Sequence, residues 1–229
     1  MSQSDASKDV FKLNSQDGAQ LCRKIARPQL GFDPHSYSLD VATTVMDGIN
    51  ALVTSKCGSG KTGILALLAI CIARFGEENS LLPANCRKDF SKKLEKYKIR
   101  TMVINSVQIE LSQHEDRNLW TDAIEGPTEI LLAPEQLEGD GFSKLVDNEK
   151  FRDRIYALMV DEVHLASTWS VFFRKAYGRI GRTGARLPSR TRLLLLTATL
   201  RKGSHYDNII NMGRPSQKEV REDRSSGAK

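Results

Sequence analysis

An apolar run that breaks into glycines and then into Lys-Thr leaves this 229-residue chain few folds to choose from. Residues 52–62 read Leu-Val-Thr-Ser-Lys-Cys-Gly-Ser-Gly-Lys-Thr, and Gly63 opens an apolar stretch that runs through Ala73. A β-type run, a glycine loop ending in Lys-Thr and a buried-type helix make the setting in which backbone N–H groups cradle a phosphate. Gly58 and Gly60 let the chain curl so that several of those groups point at one anion. The helix that follows adds its positive N-terminal end. Ser55, Gly58, Ser59, Gly60, Lys61, Thr62 and Gly63 are therefore the candidate nucleotide-binding residues. Lys61 is placed to reach the β- and γ-phosphates and the Thr62 hydroxyl to ligate Mg²⁺, so ATP and Mg²⁺ are the expected cofactors. The first glycine of the usual pattern is replaced by Ser55, which is also small.

Four more β-type runs follow, at residues 101–105, 129–133, 156–160 and 193–196, with helical patterns between them. Near-continuous apolar strands that alternate with helices predict an α/β fold, a parallel sheet flanked by helices on both faces. Ahead of the glycine loop, a short helix is expected from Gly18 to Ile25, ended by Pro28. A second carries Leu39, Ala42, Val45 and Met46 on one face and is closed by Gly48. Residues 76–100 read as a polar, mostly helical surface. Residues 1–18 are expected to be a flexible lead-in, 19–205 the folded domain, and 206–229 a disordered tail poor in apolar residues.

Other features narrow the classes of function. No apolar run approaches the ~20 residues that span a bilayer, and the first residues lack the layout of a signal peptide. The expectation is an intracellular protein without a membrane partner, nuclear if the source is a eukaryote. The four cysteines stand singly, without the spacing of a zinc site or a disulfide framework. A net charge of +6 suits a polyanionic partner, a weak signal alone.

A second cluster completes the chemistry. The apolar run Ala157-Leu-Met-Val ends in Asp161-Glu162-Val163-His164. Two carboxylates at the end of a strand, downstream of a phosphate-loop lysine, divide into two tasks. Asp161 holds Mg²⁺ through its water shell, and Glu162 orients and deprotonates the attacking water. Thr197-Ala198-Thr199 follows the next β-type run, and its hydroxyls can couple the nucleotide site to motion elsewhere.

Gly-Ser-Gly-Lys-Thr at 58–62, Asp-Glu-Val-His at 161–164 and Thr-Ala-Thr at 197–199 together resemble motifs I, II and III of superfamily 2 helicases. The stretch from Asp161 to Tyr177, with Ser167, Trp169, Phe173, Arg174 and Tyr177, resembles motif II and the aromatic-rich loop of the RecQ family. The resemblance runs from about Leu21 to Leu200. It implies a single RecA-like P-loop NTPase domain, the ATP-binding part of an ATP-dependent 3'-5' DNA helicase. It further implies catalytic roles for Lys61, Asp161, Glu162 and His164, and coupling roles for Thr197 and Thr199. Single-stranded or partly duplex DNA would be the partner, touched by Trp169, Phe173 and Arg174. It would also be touched by Asn105 and Ser106 at the motif Ia position and by Pro134 and Glu135 at motif Ib. The other reading of the aromatics is that they belong to a helix core.

The chain departs from the family pattern as well. Ser38 and His35 stand where the family has its adenine-reading Gln and a nearby Arg, and a Ser cannot make paired amide contacts to a base edge. The residues after Thr199 are too few for the family's second RecA-like domain, so weak or no hydrolysis is expected unless that domain is supplied in trans. An RNA-directed DExH ATPase and a non-catalytic nucleic-acid-binding remnant of a helicase are the alternatives.

Overall fold

The computed structural model describes residues 12–55, 60–75, 79–83, 92, 94–163, 180–199 and 217–221. Its centre is a seven-stranded sheet in which every pairing is parallel. In chain order the strands are β1 (Asn50–Thr54), β2 (Asn79–Pro83), β3 (Thr101–Ile104), β4 (Glu129–Leu132), β5 (Ile155–Val160), β6 (Arg192–Thr197) and β7 (Gln217–Arg221). Across the sheet they run β3-β4-β2-β5-β6-β1-β7.

The two-residue period of a strand divides the core between the faces. Ala51, Val53, Leu131, Ala157, Met159, Leu194 and Leu196 belong to one apolar cluster; Leu52, Ile130, Leu132, Leu158, Val160, Leu193 and Leu195 belong to the other. The first face is covered by α1 (Gln16–Leu30), α2 (Ser36–Met46) and α3 (Lys61–Phe75). The second packs against α5 (Leu119–Glu125), α6 (Asp140–Asp147) and α7 (Glu149–Arg154), while α4 (Ser106–His114) follows β3. With helices on both sides, the strands read as continuous apolar runs because neither face meets water.

Three sequence expectations are corrected. The first helix continues past Ile25 to Leu30 with Pro28 inside it. Pro28 falls in the last turn, where the ring removes a single hydrogen bond. The stop comes at Gly31, whose φ of 75° suits glycine and whose N–H donates to the Arg27 carbonyl. Residues 76–100 are not all surface: Asn79–Pro83 is an interior strand between β4 and β5. Its two leucines amid Asn, Ser and Pro give no period of their own, and Pro83 reaches the ladder only as the last residue. At the termini, Gln217–Arg221 in the expected tail forms β7, paired in parallel with β1. In the N-terminal lead-in, residues 12–18 are likewise held in place. Leu13 and Asn14 donate backbone N–H groups to the Asp47 carboxylate at 2.8 and 2.7 Å, and Ser15 caps α1.

Helix starts are set by side chains. Asn118 accepts from the N–H groups of Trp120 and Thr121 at the head of α5, at 3.0 and 3.4 Å. Asn118→Ala leaves both donors to water and is expected to lower the unfolding free energy by about 1 kcal/mol. Urea denaturation checks this; an unchanged midpoint would show that the cap carries no stability.

Candidate nucleotide-binding site

The site gathers where three neighbouring strands end. β6 lies between β1 and β5, so the residues leaving β1 and β5 start about 10 Å apart, two strand spacings. Only long side chains close such a gap. Lys61, the first residue of α3, and Glu162, two residues past β5, meet with Nζ 2.7 Å from Oε1. Those two side chains are 10% and 31% exposed, so the contact lies in a partly dry recess where it is stronger than a surface pair.

The backbone holds both partners. Gly60 has φ of 89°, and among the described residues a Cβ there would meet only the Tyr37 hydroxyl at 4.0 Å, so the constraint shown at this position is conformational. Gly63 and Ile64 donate to the Gly60 carbonyl at 2.7 and 3.2 Å, which starts α3 immediately. The first-turn N–H groups of a helix have no partner within it and are aimed outward at any anion. On the β5 side, Val163 donates to the Leu196 carbonyl at 2.9 Å and ties the turn back onto β6. Glu162 is bent to a φ of 52°, and its N–H donates to Asp161 Oδ1 at 2.9 Å. A left-handed conformation at a non-glycine residue is a strain that only an over-determined turn sustains.

Asp161 is half-buried. Loss of hydration raises its carboxyl above the ordinary range, the neighbouring Glu162 raises it further, and Lys61 and the Glu162 N–H oppose that rise. A hard divalent cation would reverse the effect by favouring the carboxylate. Thr62 on α3 and Asp161 on the β5 turn fit Mg²⁺, which takes one or two protein oxygens and fills its remaining positions with water and phosphate. Among the described residues no group of three His, Cys, Asp or Glu side chains is placed to hold a metal ion.

The third strand closes the site from the middle. Ser55, buried, donates its N–H to the Thr197 carbonyl at 2.9 Å, extending the β1–β6 ladder into the loop. The Thr197 hydroxyl donates to the Thr199 carbonyl at 2.8 Å and accepts from the Thr199 N–H at 3.3 Å. Thr197 is thus fixed inside the turn, whereas Thr199 is exposed.

Ser55, Gly60, Lys61, Thr62, Gly63, Asp161, Glu162, Thr197 and Thr199 all lie in this region. Gly58, Ser59, His164, Trp169, Phe173 and Arg174 lie outside the described residues. At the ends of β3 and β4, Ser106 and Glu135 are exposed, and Gln136 Nε2 donates to the Ser106 hydroxyl at 3.2 Å. Asn105 and Pro134 are occupied structurally instead. Asn105 caps α4 by accepting from the Gln108 N–H, and Pro134 is buried at the start of a 3₁₀ turn.

Two residues beside the glycine loop escaped the sequence reading. Phe32, 42% exposed, brings Cζ within 3.6 Å of where a Cβ on Gly63 would lie, and Tyr37 reaches Gly60. Nothing in their spacing marks them, because contact with the loop arises only when α2 packs on α3. Ser38 is 6% exposed in α2, so little of it is open to a base.

Comparisons with known proteins agree with this arrangement. The family model for DEAD/DEAH box helicases matches residues 37–206. No curated protein sequence matches the chain. The DUF1998 helicase MrfA bound to DNA superposes with a TM-score of 0.65 at 15% identity, over 93% of this chain and 28% of that one. A DEAD box protein from the hyperthermophile Methanococcus jannaschii gives 0.60 at 14% identity, over 87% of this chain and 53% of that one. The Pyrococcus furiosus Hef helicase domain gives 0.59 at 18% identity, over 87% and 40%. The chain therefore spans between about a quarter and a half of the length of these structures. Because the family match starts in the helix beside the glycine loop and runs past Thr199, enclosing all three strand ends of the site, the chain belongs to the DEAD/DEAH box helicase family.

Proposed function

We propose that this chain is the ATP-binding domain of a RecQ-like DNA helicase, one that binds Mg-ATP and single-stranded DNA. The observation that carries the reading is the convergence of Lys61 and Glu162 at 2.7 Å beside the half-buried Asp161. A lysine that can take phosphate charge thus faces a carboxylate that can orient water, next to one suited to Mg²⁺. A bound Mg-nucleotide would supply the phosphoanhydride to be cleaved. The residues of this chain would bind its phosphates at the start of α3, hold Mg²⁺ through Thr62 and Asp161, and hold the attacking water at Glu162.

DNA as the polymer rests on the residues from Asp161 to Tyr177, which resemble the RecQ aromatic-rich loop at Ser167, Trp169, Phe173, Arg174 and Tyr177 and depart from it at Thr168, Ser170, Val171 and Phe172. Aromatic faces stack on unpaired bases, and Arg174 adds charge. Strand separation with 3'-5' polarity would draw on a second RecA-like domain, in a longer protein or in trans.

The test is nucleotide hydrolysis by this chain, with a second RecA-like domain supplied, in the presence of single-stranded DNA or RNA of equal length. The expected outcome is stimulation by DNA well above that by RNA, lost in Trp169→Ala. Preferential stimulation by RNA would replace the DNA reading with an RNA-directed ATPase. Nucleic-acid binding without any hydrolysis, with or without a supplied second domain, would make the chain a binding module.

A further inference from the structure

At the far end of α3 from Lys61 the chain keeps a run of cations with little to neutralise it. Lys92, Lys96, Lys98 and Arg100 are exposed, and Glu95 is the one carboxylate between residues 92 and 100. Lys98 and Arg74, exposed in the last turn of α3, share the lining of a cleft of about 290 Å³. Ile25 of α1, Ile70 of α3 and Ile99 give it apolar walls, and the last two are buried. Thirteen residues of α3 separate Lys61 from Arg74, so this cleft lies about 20 Å from the nucleotide site. We propose that it docks an acidic peptide segment of a partner protein. One large apolar side chain of that segment enters between the three isoleucines, and its carboxylates meet Arg74 and Lys98. The proposal stands independently of the nucleotide reading.

Basic residues at helix ends need no ligand when they turn back onto the last carbonyls. Here they do not: neither the Arg74 nor the Lys98 side chain has a hydrogen-bond or ion-pair partner among the described residues. No described acid lines the cleft either. The backbone holds Lys98 in a left-handed φ of 57°, a conformation usually left to glycine, with its N–H on the Glu95 carbonyl at 2.8 Å. Gln29 Nε2 donates to the Tyr97 carbonyl and ties α1 to that turn, which fixes one wall of the cleft against the other.

Size and chemistry select the occupant. Small-molecule clefts run from about 300 to 1,000 Å³, and this one falls at the lower limit, with room for little more than one side chain. Lys92, Lys96 and Arg100 lie outside its lining, so a single small anion would leave most of the charge unanswered. A nucleic-acid strand would answer the charge, but the described walls are aliphatic and offer no ring for a base to stack on. An acidic segment with one apolar residue satisfies both. The anchor fills the pocket and supplies affinity, while the surrounding cations steer the acidic flanks.

The experiment follows, by fluorescence anisotropy on the full chain, a labelled short peptide of aspartates and glutamates around one central leucine. The same peptide with alanine at its centre is expected to bind about tenfold more weakly. Arg74→Glu combined with Lys98→Glu is expected to weaken the leucine peptide at least tenfold by reversing the charge. Ala73→Trp fills the cleft, keeps both cations, and is expected to abolish the advantage of leucine over alanine. Ala73 is exposed, so the fold tolerates the larger ring, and an unchanged melting temperature checks this. Equal binding of the two peptides, a leucine advantage that survives Ala73→Trp, or no binding by the wild type would each overturn the proposal. Single-stranded DNA of equal charge that binds more tightly than the peptide, and is lost in the charge-reversed variant, would make the surface a nucleic-acid contact instead. Displacement of the peptide by an equal concentration of 4-methylpentanoate would make the cleft a small-molecule site, and would likewise overturn the peptide reading.

Discussion

Lys61→Ala is expected to weaken binding of Mg-ATP by about 10²–10³-fold with the fold intact. Truncating one member of a close charged pair inside a recess costs about 2–5 kcal/mol, and each 1.4 kcal/mol is a factor of ten in affinity. Lys61 is 9% exposed at the opening residue of α3, so solvent does not replace it cheaply. The partner left behind, Glu162, has 31% of its side chain exposed, and the shorter residue at 61 opens the recess so that water reaches the carboxylate, which keeps the cost to stability small. Calorimetric titration of wild type and variant checks this. Affinities within threefold would show that the phosphates do not lie at the start of α3. The same titration with GTP is expected to match ATP within a few-fold. Ser38 is buried in α2, and the aromatic groups beside the loop are Phe32 and Tyr37, with His35 stacked on Tyr37; stacking on an aromatic ring does not tell one base from another. A strong preference for ATP would mean that some residue outside this group reads the adenine edge.

The other large effect lies far from the nucleotide. Glu129 opens β4, is wholly buried, and has neither carboxylate oxygen hydrogen-bonded among the described residues. Loss of hydration pushes its carboxyl up to about 8 from an ordinary 4.5. The folded protein thus keeps a proton that the unfolded chain releases. The stabilising contribution is fully present below about pH 4.5, declines as pH rises, and is lost by about pH 8. Each unit of that window is worth about 1.4 kcal/mol, so the loss is on the order of 4 kcal/mol. Glu129→Gln cannot ionise. Compared with wild type it is expected to be about equal in stability near pH 4.5 and more stable by that amount near pH 8, in urea unfolding across the range. Taking the difference between the two proteins removes the titration of every other group. Parallel stability profiles would show that Glu129 holds its charge at no cost, and therefore has a partner outside the described residues.

How much of this was legible in the chain itself depends on how local each signal is. β3, β4, β5 and β6 were readable because each is an apolar run long enough to be a strand, and burial on both faces leaves no polar alternation to confuse the pattern. The glycine loop and the Asp161-Glu162 turn were readable because the chemistry of phosphate and Mg²⁺ demands those residue types in sequence with a strand and a helix. The α/β class followed from the same alternation.

What the chain could not disclose are the features made by partners distant along it. Asn79–Pro83 becomes a strand because β4 and β5 leave a slot between them, and Gln217–Arg221 because β1 offers an open edge; neither segment carries the propensity to do so alone. Asn105, a candidate nucleic-acid contact by position, is held by the N–H of Gln108. The meeting of Lys61 with Glu162 depends on β6 entering the sheet between β1 and β5, a distance set by strand spacing and by nothing in either motif. Local covalent chemistry determined which residues could bind phosphate. The order of strands in the sheet decided which of them face each other, because a parallel sheet brings together ends that are far apart in sequence.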